Sequence, residues 1–418
     1  MKKSFVAVAV LGAFAGSALA ADVTLYGVID LGLHYQNVNK ANAADVNKFD
    51  MAAGQNSGSR WGLKGTEDLG FAKVGFNLES GFDADTGVSG QSLTNKDAKL
   101  AGTTPSKSTR LFGREAILYM DTDFGTLAFG RTGALSAGTG SYNLAKYTPF
   151  STGWGSLTAQ KANFWIGDRD RMDNTVTYRT PSFAGFQVTA QYSFNRAGQE
   201  TAGNERLNER YAALGASYNN GPLSTALVLD TVMPDHYHYT APTATAPSTT
   251  AQRDIDDSFG VTFGASYDFE VVKLFAMGQY GQHENFLGTT FDKGEKLDVG
   301  TYDSAYFKTL SSKGWKGYGV NLGATAPVLG GKVLAQVSYL DAKTHDAMTY
   351  EQAKADADFD EVTSGKYKEA KAQNWGIALG YTYPFSKRTN VYTYVSYNET
   401  QVKTEAEAKD TDVTTKFT

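Results

Sequence analysis

The sequence predicts an all-β chain folded as a transmembrane antiparallel β-barrel of sixteen strands. Three observations carry this prediction. Segments of alternating apolar and polar residues recur in pairs; each pair closes on a short turn; and long loops separate one pair from the next. A strand places alternate side chains on opposite faces, so each segment has one apolar and one polar face. A half-buried sheet in water alternates in the same way, but it has no reason to put every long loop at one end. A membrane barrel with short turns on one side and long loops on the other does. No stretch after residue 20 is apolar for the ~18 residues that a helical span requires. Unpaired backbone groups in lipid cost several kcal/mol each, so such segments cross only as a closed sheet.

Taken in order, Lys2 and Lys3 precede an apolar run from Phe5 to Ala13, and Ala18-Leu19-Ala20 supplies small residues for cleavage. This pattern is that of a secretory signal peptide over 1–20, leaving 21–418 as a single barrel domain. The first strand, 22–36, sets Val23, Leu25, Ile29, Leu31, Leu33 and Tyr35 against Thr24, Tyr26, Asp30, His34 and Gln36. Segments 57–65 and 72–82 form the next pair around Glu67-Asp68-Leu69-Gly70, with Val74, Phe76 and Leu78 on the apolar side. Segments 110–120 and 125–131 turn at Asp121-Thr122-Asp123-Phe124; the first alternates poorly, as burial against a neighbouring subunit or a shifted register would allow. The longest loop covers 132–172. Beyond it, Thr175–Arg179 and Phe186–Phe194 pair across Pro181–Gly185, and 210–218 pairs with 223–230 across Asn219-Asn220-Gly221-Pro222, a strong turn signal. Further pairs are expected at 258–267 with 271–280, 316–326 with 332–340, and 374–383 with 390–397. A short sixteenth strand lies within 410–418. Loops 231–257 and 341–373 read as solvated connections.

The chain of 418 residues has a formal charge of −5, which points to no nucleic-acid partner, and no cysteine, which excludes disulfides, thiolate metal sites and thiol nucleophiles. Gly (44), Tyr (24) and Phe (24) are plentiful, suiting tight turns and interfacial aromatic belts. Tyr26, Tyr392 and Tyr394 read as belt residues in preference to a sugar slide. His236 and His238 are spaced like two ligands on one strand face but lie in a loop, where solvation is the simpler reading. None of the five histidines sits near a serine motif, and G-x-S-x-G is absent, so an enzyme is not expected. No cofactor or metal is expected.

Several motifs together resemble the Gram-negative general porins. These are Thr24-Leu25-Tyr26-Gly27, Ser59-Arg60-Trp61-Gly62-Leu63-Lys64-Gly65 with Glu67-Asp68-Leu69-Gly70, and Leu111-Phe112-Gly113-Arg114. Phe124-Gly125-Thr126-Leu127 with Gly130-Arg131, and Asn174-Thr175-Val176-Thr177-Tyr178-Arg179 with Pro181-Ser182-Phe183, continue the series in order. The resemblance covers essentially the whole mature chain. It implies a homotrimer in the outer membrane of a Gram-negative bacterium, contacting lipid and lipopolysaccharide. It also implies passive diffusion of ions and small hydrophilic solutes, and a third loop, 132–172, folded into the lumen. A substrate-specific channel or a surface adhesin is the alternative.

By the same resemblance Arg60, Arg114 and Arg179 are wall arginines facing that loop, with Arg131 at the loop's start. The alternation itself places Arg60 and Arg179 on the polar parity. Thr132 to Gly167 contains no Asp or Glu, whereas Lys146 and Lys161 add positive charge. This departs from porins that set carboxylates opposite the arginines, and the expectation is a preference for small anions. Neutralisation of the arginines by Glu79 or Asp30 is the competing reading. The terminus departs as well. Family members end in a full strand with a terminal aromatic residue, whereas Phe417-Thr418 follows a shorter segment; either Phe417 takes that role or the last strand is truncated, and truncation is the expectation.

Overall fold

The protein is described here by a computed structural model. It describes residues 22–39, 46–89, 110–150, 165–167, 169–196, 209–234, 237–240, 249–252, 256–284, 314–345, 348–352, 363–406 and 413–417. In chain order the strands are β1 (Asp22–Val28), β2 (Leu31–Val38), β3 (Val46–Ala53), β4 (Arg60–Asp68), β5 (Lys73–Gly81), β6 (Glu115–Thr122) and β7 (Gly125–Gly133). There follow β8 (Arg171–Arg179), β9 (Phe186–Ser193), β10 (Arg210–Asn220), β11 (Leu223–Met233), β12 (Tyr237–Thr240), β13 (Thr249–Gln252) and β14 (Phe259–Asp268). The last seven are β15 (Lys273–Glu284), β16 (Trp315–Val328), β17 (Gly331–Thr344), β18 (Met348–Gln352), β19 (Thr363–Ser386), β20 (Thr389–Ala406) and β21 (Val413–Phe417).

One 17-stranded sheet forms the wall. Its pairing runs antiparallel through β1, β4 to β11, β14 to β17 and β19 to β21, while β18 pairs only with the start of β19. These are the predicted strands, each joined to its chain neighbour. The sheet curls far enough to bring β20 against the residues after β1. The two margins enclose a slot of about 1540 Å³, and the Tyr392 hydroxyl crosses it to donate to Asp30 Oδ1 at 2.6 Å. Among the described residues no ladder joins β1 to β20 or β21. The β21 ladder meets only Thr400–Thr404 of β20.

Burial is inverted relative to a water-soluble protein. Leu25, Leu118, Phe129, Leu214, Phe263, Leu322 and Val395 lie exposed on the outer face, while Thr177, Gln191, Asn321 and Asn374 are buried on the inner one. Lipid covers the outside, and every strand therefore keeps the two-residue period. The apolar core sits inside the wall. Leu135, Tyr142, Leu144 and Tyr147 of the third loop pack on Ile117, Ala128, Ala226, Val228 and Met277. This explains the weak alternation predicted for the fourth strand: Ile117 is apolar on the lumen face because the loop covers it.

Three expectations are corrected. The first strand is broken at Ile29-Asp30, where the Asp30 carboxylate accepts the Asn56 and Ser57 amides at 2.8 and 2.6 Å. β2 therefore leaves the wall and pairs with β3 as a separate hairpin. The fourth strand begins at Glu115, with Arg110–Arg114 in a turn. The loops at 231–257 and 341–373 are not uniform connections: β12 and β13 form a hairpin in one, and β17, β18 and β19 extend through the other.

Candidate pore constriction

The third loop leaves β7 at Gly133 and returns at Arg171, and its first half lies along the inner wall. Glycines on the wall make room for it. A Cβ at Gly215 would stand 2.4 Å from Leu144, at Gly264 2.2 Å from Tyr147, at Gly323 2.4 Å from Pro149 and at Gly380 2.8 Å from Phe150. Those four glycines belong to β10, β14, β16 and β19, so the loop runs around the barrel with one side chain seated per glycine. Polar anchors hold both of its ends. Glu115 accepts Thr132 Oγ1 at 2.5 Å, Ser141 Oγ at 2.7 Å and the Ser141 amide at 2.9 Å. At the return, buried Arg169 donates to Asp230 at 2.7 Å and to both oxygens of Glu284 at 2.5 and 2.8 Å. Ser136 Oγ donates to the other oxygen of Asp230. Two carboxylates hold the Arg169 guanidinium charged against the cost of burial.

The predicted basic residues fall into separate groups. Arg60 of β4 and Arg114, just before β6, converge on Glu79 of β5, at 3.3 and 2.6 Å. Tyr26 donates to the same carboxylate at 3.0 Å. Arg131 is paired in register with Ala116, and its guanidinium is taken up by the Gly113 carbonyl at 2.7 Å and by Asp173 at 2.7 Å, which Arg110 also reaches at 2.6 Å. Arg179, at the far end of β8, lies over the Tyr142 ring at 4.6 Å and donates to the Ser141 carbonyl at 3.4 Å. Lys146 of the loop is within electrostatic reach of Arg179. Lys146 is exposed by surface area, yet partial desolvation by the surrounding wall and that like charge hold its ammonium below the ordinary lysine value, and burial pushes the Tyr142 phenol up to about 12. Among the described residues neither Lys146 nor Arg179 has a carboxylate partner. Lys161 lies outside the described residues, as do Asp168 and His236.

Asp30, considered as a neutralising acid for the arginines, is occupied instead by backbone amides and Tyr392. Tyr26, Tyr392 and Tyr394 are not belt residues: Tyr26 bonds Asn77 and Glu79, and Tyr392 and Tyr394 pack against the cluster formed by Phe150 of the loop with Leu334 and Ala378 of the wall. The residues sequence reasoning missed are Arg169, Asp230 and Glu284. The one local signal, for Arg169 alone, is its place among Asp168, Asp170, Arg171 and Asp173 where the loop rejoins the wall. No group of three His, Cys, Asp or Glu able to hold a metal occurs among the described residues.

An apolar-outside sheet with a polar inner face, and a loop whose described part packs along that face, defines a diffusion channel of the membrane-barrel class. A family model described as Gram-negative porin matches residues 7–403, and the chain belongs to that family. It is 34% identical to an outer membrane porin protein of Bordetella pertussis over 95% of this chain and 94% of that one. It is 30% identical to outer membrane porin protein 32 of Delftia acidovorans over 95% and 89%. Among solved structures it is similar to an anion-selective porin from Comamonas acidovorans, with a TM-score of 0.56 and 27% identity over 95% of this chain and 97% of that one. The protein is an outer-membrane porin, a passive channel.

Proposed function

We propose that the pore prefers small anions, and that Arg60, Arg114, Arg179 and Lys146 set this preference. The observation that carries the reading is the unbalanced pair Lys146 and Arg179, at the third loop and the adjoining wall, with no acid among the described residues to offset it. Above it, Glu79 serves two arginines, so that group retains a net positive charge as well. Fixed positive charge in a narrow, low-dielectric passage concentrates anions and repels cations. Arg131 contributes by sharing Asp173 with Arg110. The similar porin from Comamonas acidovorans is described as anion-selective, which agrees with this assignment.

The remaining parts of the reading are a leader over 1–20, a single barrel domain over 21–418, and a homotrimer embedded in lipid and lipopolysaccharide. Catalysis plays no part, and the solute's own gradient drives flux. Single-channel recording in a planar bilayer across a potassium chloride gradient tests the proposal. A reversal potential favouring chloride, with openings grouped in threes, is expected. One favouring potassium would overturn the anion preference while leaving the channel.

A further inference from the structure

The imidazole rings of His283 and His345 stack face to face at the long-loop end of the barrel, with centroids 4.2 Å apart and planes 19° from parallel. They do not belong to neighbouring strands. His283 lies in β15 and His345 just past β17, with β16 between them. The residue that separates them at this level is Gly314, whose carbonyl accepts the His345 amide at 3.0 Å. A Cβ there would stand 2.6 Å from the His283 carbonyl carbon, so a glycine is what lets the rings close over β16. His283 has a φ of 53°, in the left-handed region that residues with a side chain avoid, and sits in the bulge between Gly281 and Glu284. Backbone strain of this kind persists only where the surroundings enforce it, and it gathers at switch regions.

The bulge sends two consecutive side chains to different tasks. His283 joins the stack, whereas Glu284 is buried and gives both its oxygens to Arg169, the anchor of the third loop's return. Charge around the stack is one-sided. Among the described residues, Asp256 approaches His283 Nδ1 at 3.4 Å, exposed Asp257 follows it, and Glu284 is committed to Arg169. Lys316 and Lys343, paired in register, stand two residues below Gly314 and His345. Imidazole is largely neutral above neutrality and takes up a proton in mild acid. One proton, on His283, is matched by Asp256. A second would place like charges on two rings in face-to-face contact, beside two lysines. We propose that the stack is a proton-operated clasp on the third loop. Closed at neutral pH, it fixes the bulge and with it Glu284; double protonation below about pH 6 opens it and loosens the Arg169 anchor. The proposal rests on the loop's anchorage and is independent of the ion preference of the pore.

The test records single-channel current of the purified full-length barrel in a planar bilayer, with the long-loop side held at about pH 7.5 and then about pH 5. The parent should be quiet at the first and close several-fold more often at the second. H283F and H345F each keep a flat ring in the stack and remove one of the two charges. Each should be quiet at both pH values, and the double variant should add nothing, because the effect belongs to the pair. D256N removes the acid that offsets the first proton, so its closures should begin at higher pH than the parent's. The reversal potential of H345F should match the parent's, which separates the clasp from the ion filter. Hydrogen exchange on the parent tests the same clasp without a substitution: on acidification the protection factor of the His345 amide should fall relative to that of Val337 in mid-strand. Equal closing rates for the parent at the two pH values, an acid response retained in H345F or H283F, an unmoved onset in D256N, or undiminished protection of the His345 amide would overturn the proposal.

Discussion

Because Glu79 accepts Arg114 and Arg60 at once, a single carboxylate holds two guanidiniums and cancels only one of their charges. Replacing it should therefore act opposite to replacing an arginine. Glu79→Gln is expected to move the reversal potential further towards chloride and Arg179→Gln towards potassium. Each permeability ratio should change by a factor on the order of 2–10, at the low end of what focused fields produce. If both variants move the potential in the same direction, the local charge balance is not what sets selectivity. Lys146 adds a dependence on pH. Its ammonium is held low by partial desolvation and by Arg179, so the charged form is present below that lowered value and is lost as pH rises through it, earlier than for a free lysine at about 10.4. Anion preference should accordingly decline on alkaline titration before the ordinary lysine range is reached. Lys146→Arg should keep the preference and remove the decline. A titration curve identical in Lys146→Arg would assign the decline to another group.

The third loop owes its position to seats in the wall as much as to its own sequence. Gly264 lies under Tyr147 so closely that any side chain there must displace the loop, whereas a Cβ at Gly278 would meet nothing nearer than 3.8 Å. Gly264→Val is expected to cost about 1–3 kcal/mol through overpacking and to change the conductance. Gly278→Val, on the outer face of neighbouring β15, should leave the conductance unaltered. Equal conductance in the two variants would mean that the loop does not depend on the seat. The return of the loop rests on Arg169. Removing its guanidinium leaves Asp230 and Glu284 buried without their cation, an error that typically costs 3–5 kcal/mol. Arg169→Gln should lower the thermal midpoint and make single-channel current noisy as the loop loosens. A quiet channel with a lowered midpoint would confine Arg169 to stability.

At the scale of the whole molecule, lipid outside and water inside impose one rule on every strand, which is why the wall could be read from alternation alone. Val74, Phe76 and Leu78 of β5 alternate with Asn77 and Glu79, and the structure puts the first set outside and the second on the lumen hydrogen-bond network. What alternation could not reveal depends on partners distant in sequence. The seating of Tyr147 on Gly264 and the bond of Arg169 to Glu284 each join residues more than a hundred positions apart, and no local pattern encodes them. The departure of β2 from the wall depends likewise on Asp30 being claimed by two amides across a loop. The same rule makes the outer face the place where a charge is least tolerated. Phe76 is paired in register with Gly65 and Leu118, in the apolar band. Phe76→Arg should cost roughly 2–4 kcal/mol if it lies near the bilayer midplane, since the guanidinium must enter hydrocarbon or drag headgroups and water towards it. Asn77→Arg, one residue along, faces the wet lumen and should cost little by comparison. Equilibrium denaturant titration of both variants refolded into vesicles measures the difference. Equal costs would mean that the two faces are not in different solvents, and the barrel assignment of β5 would fail with them.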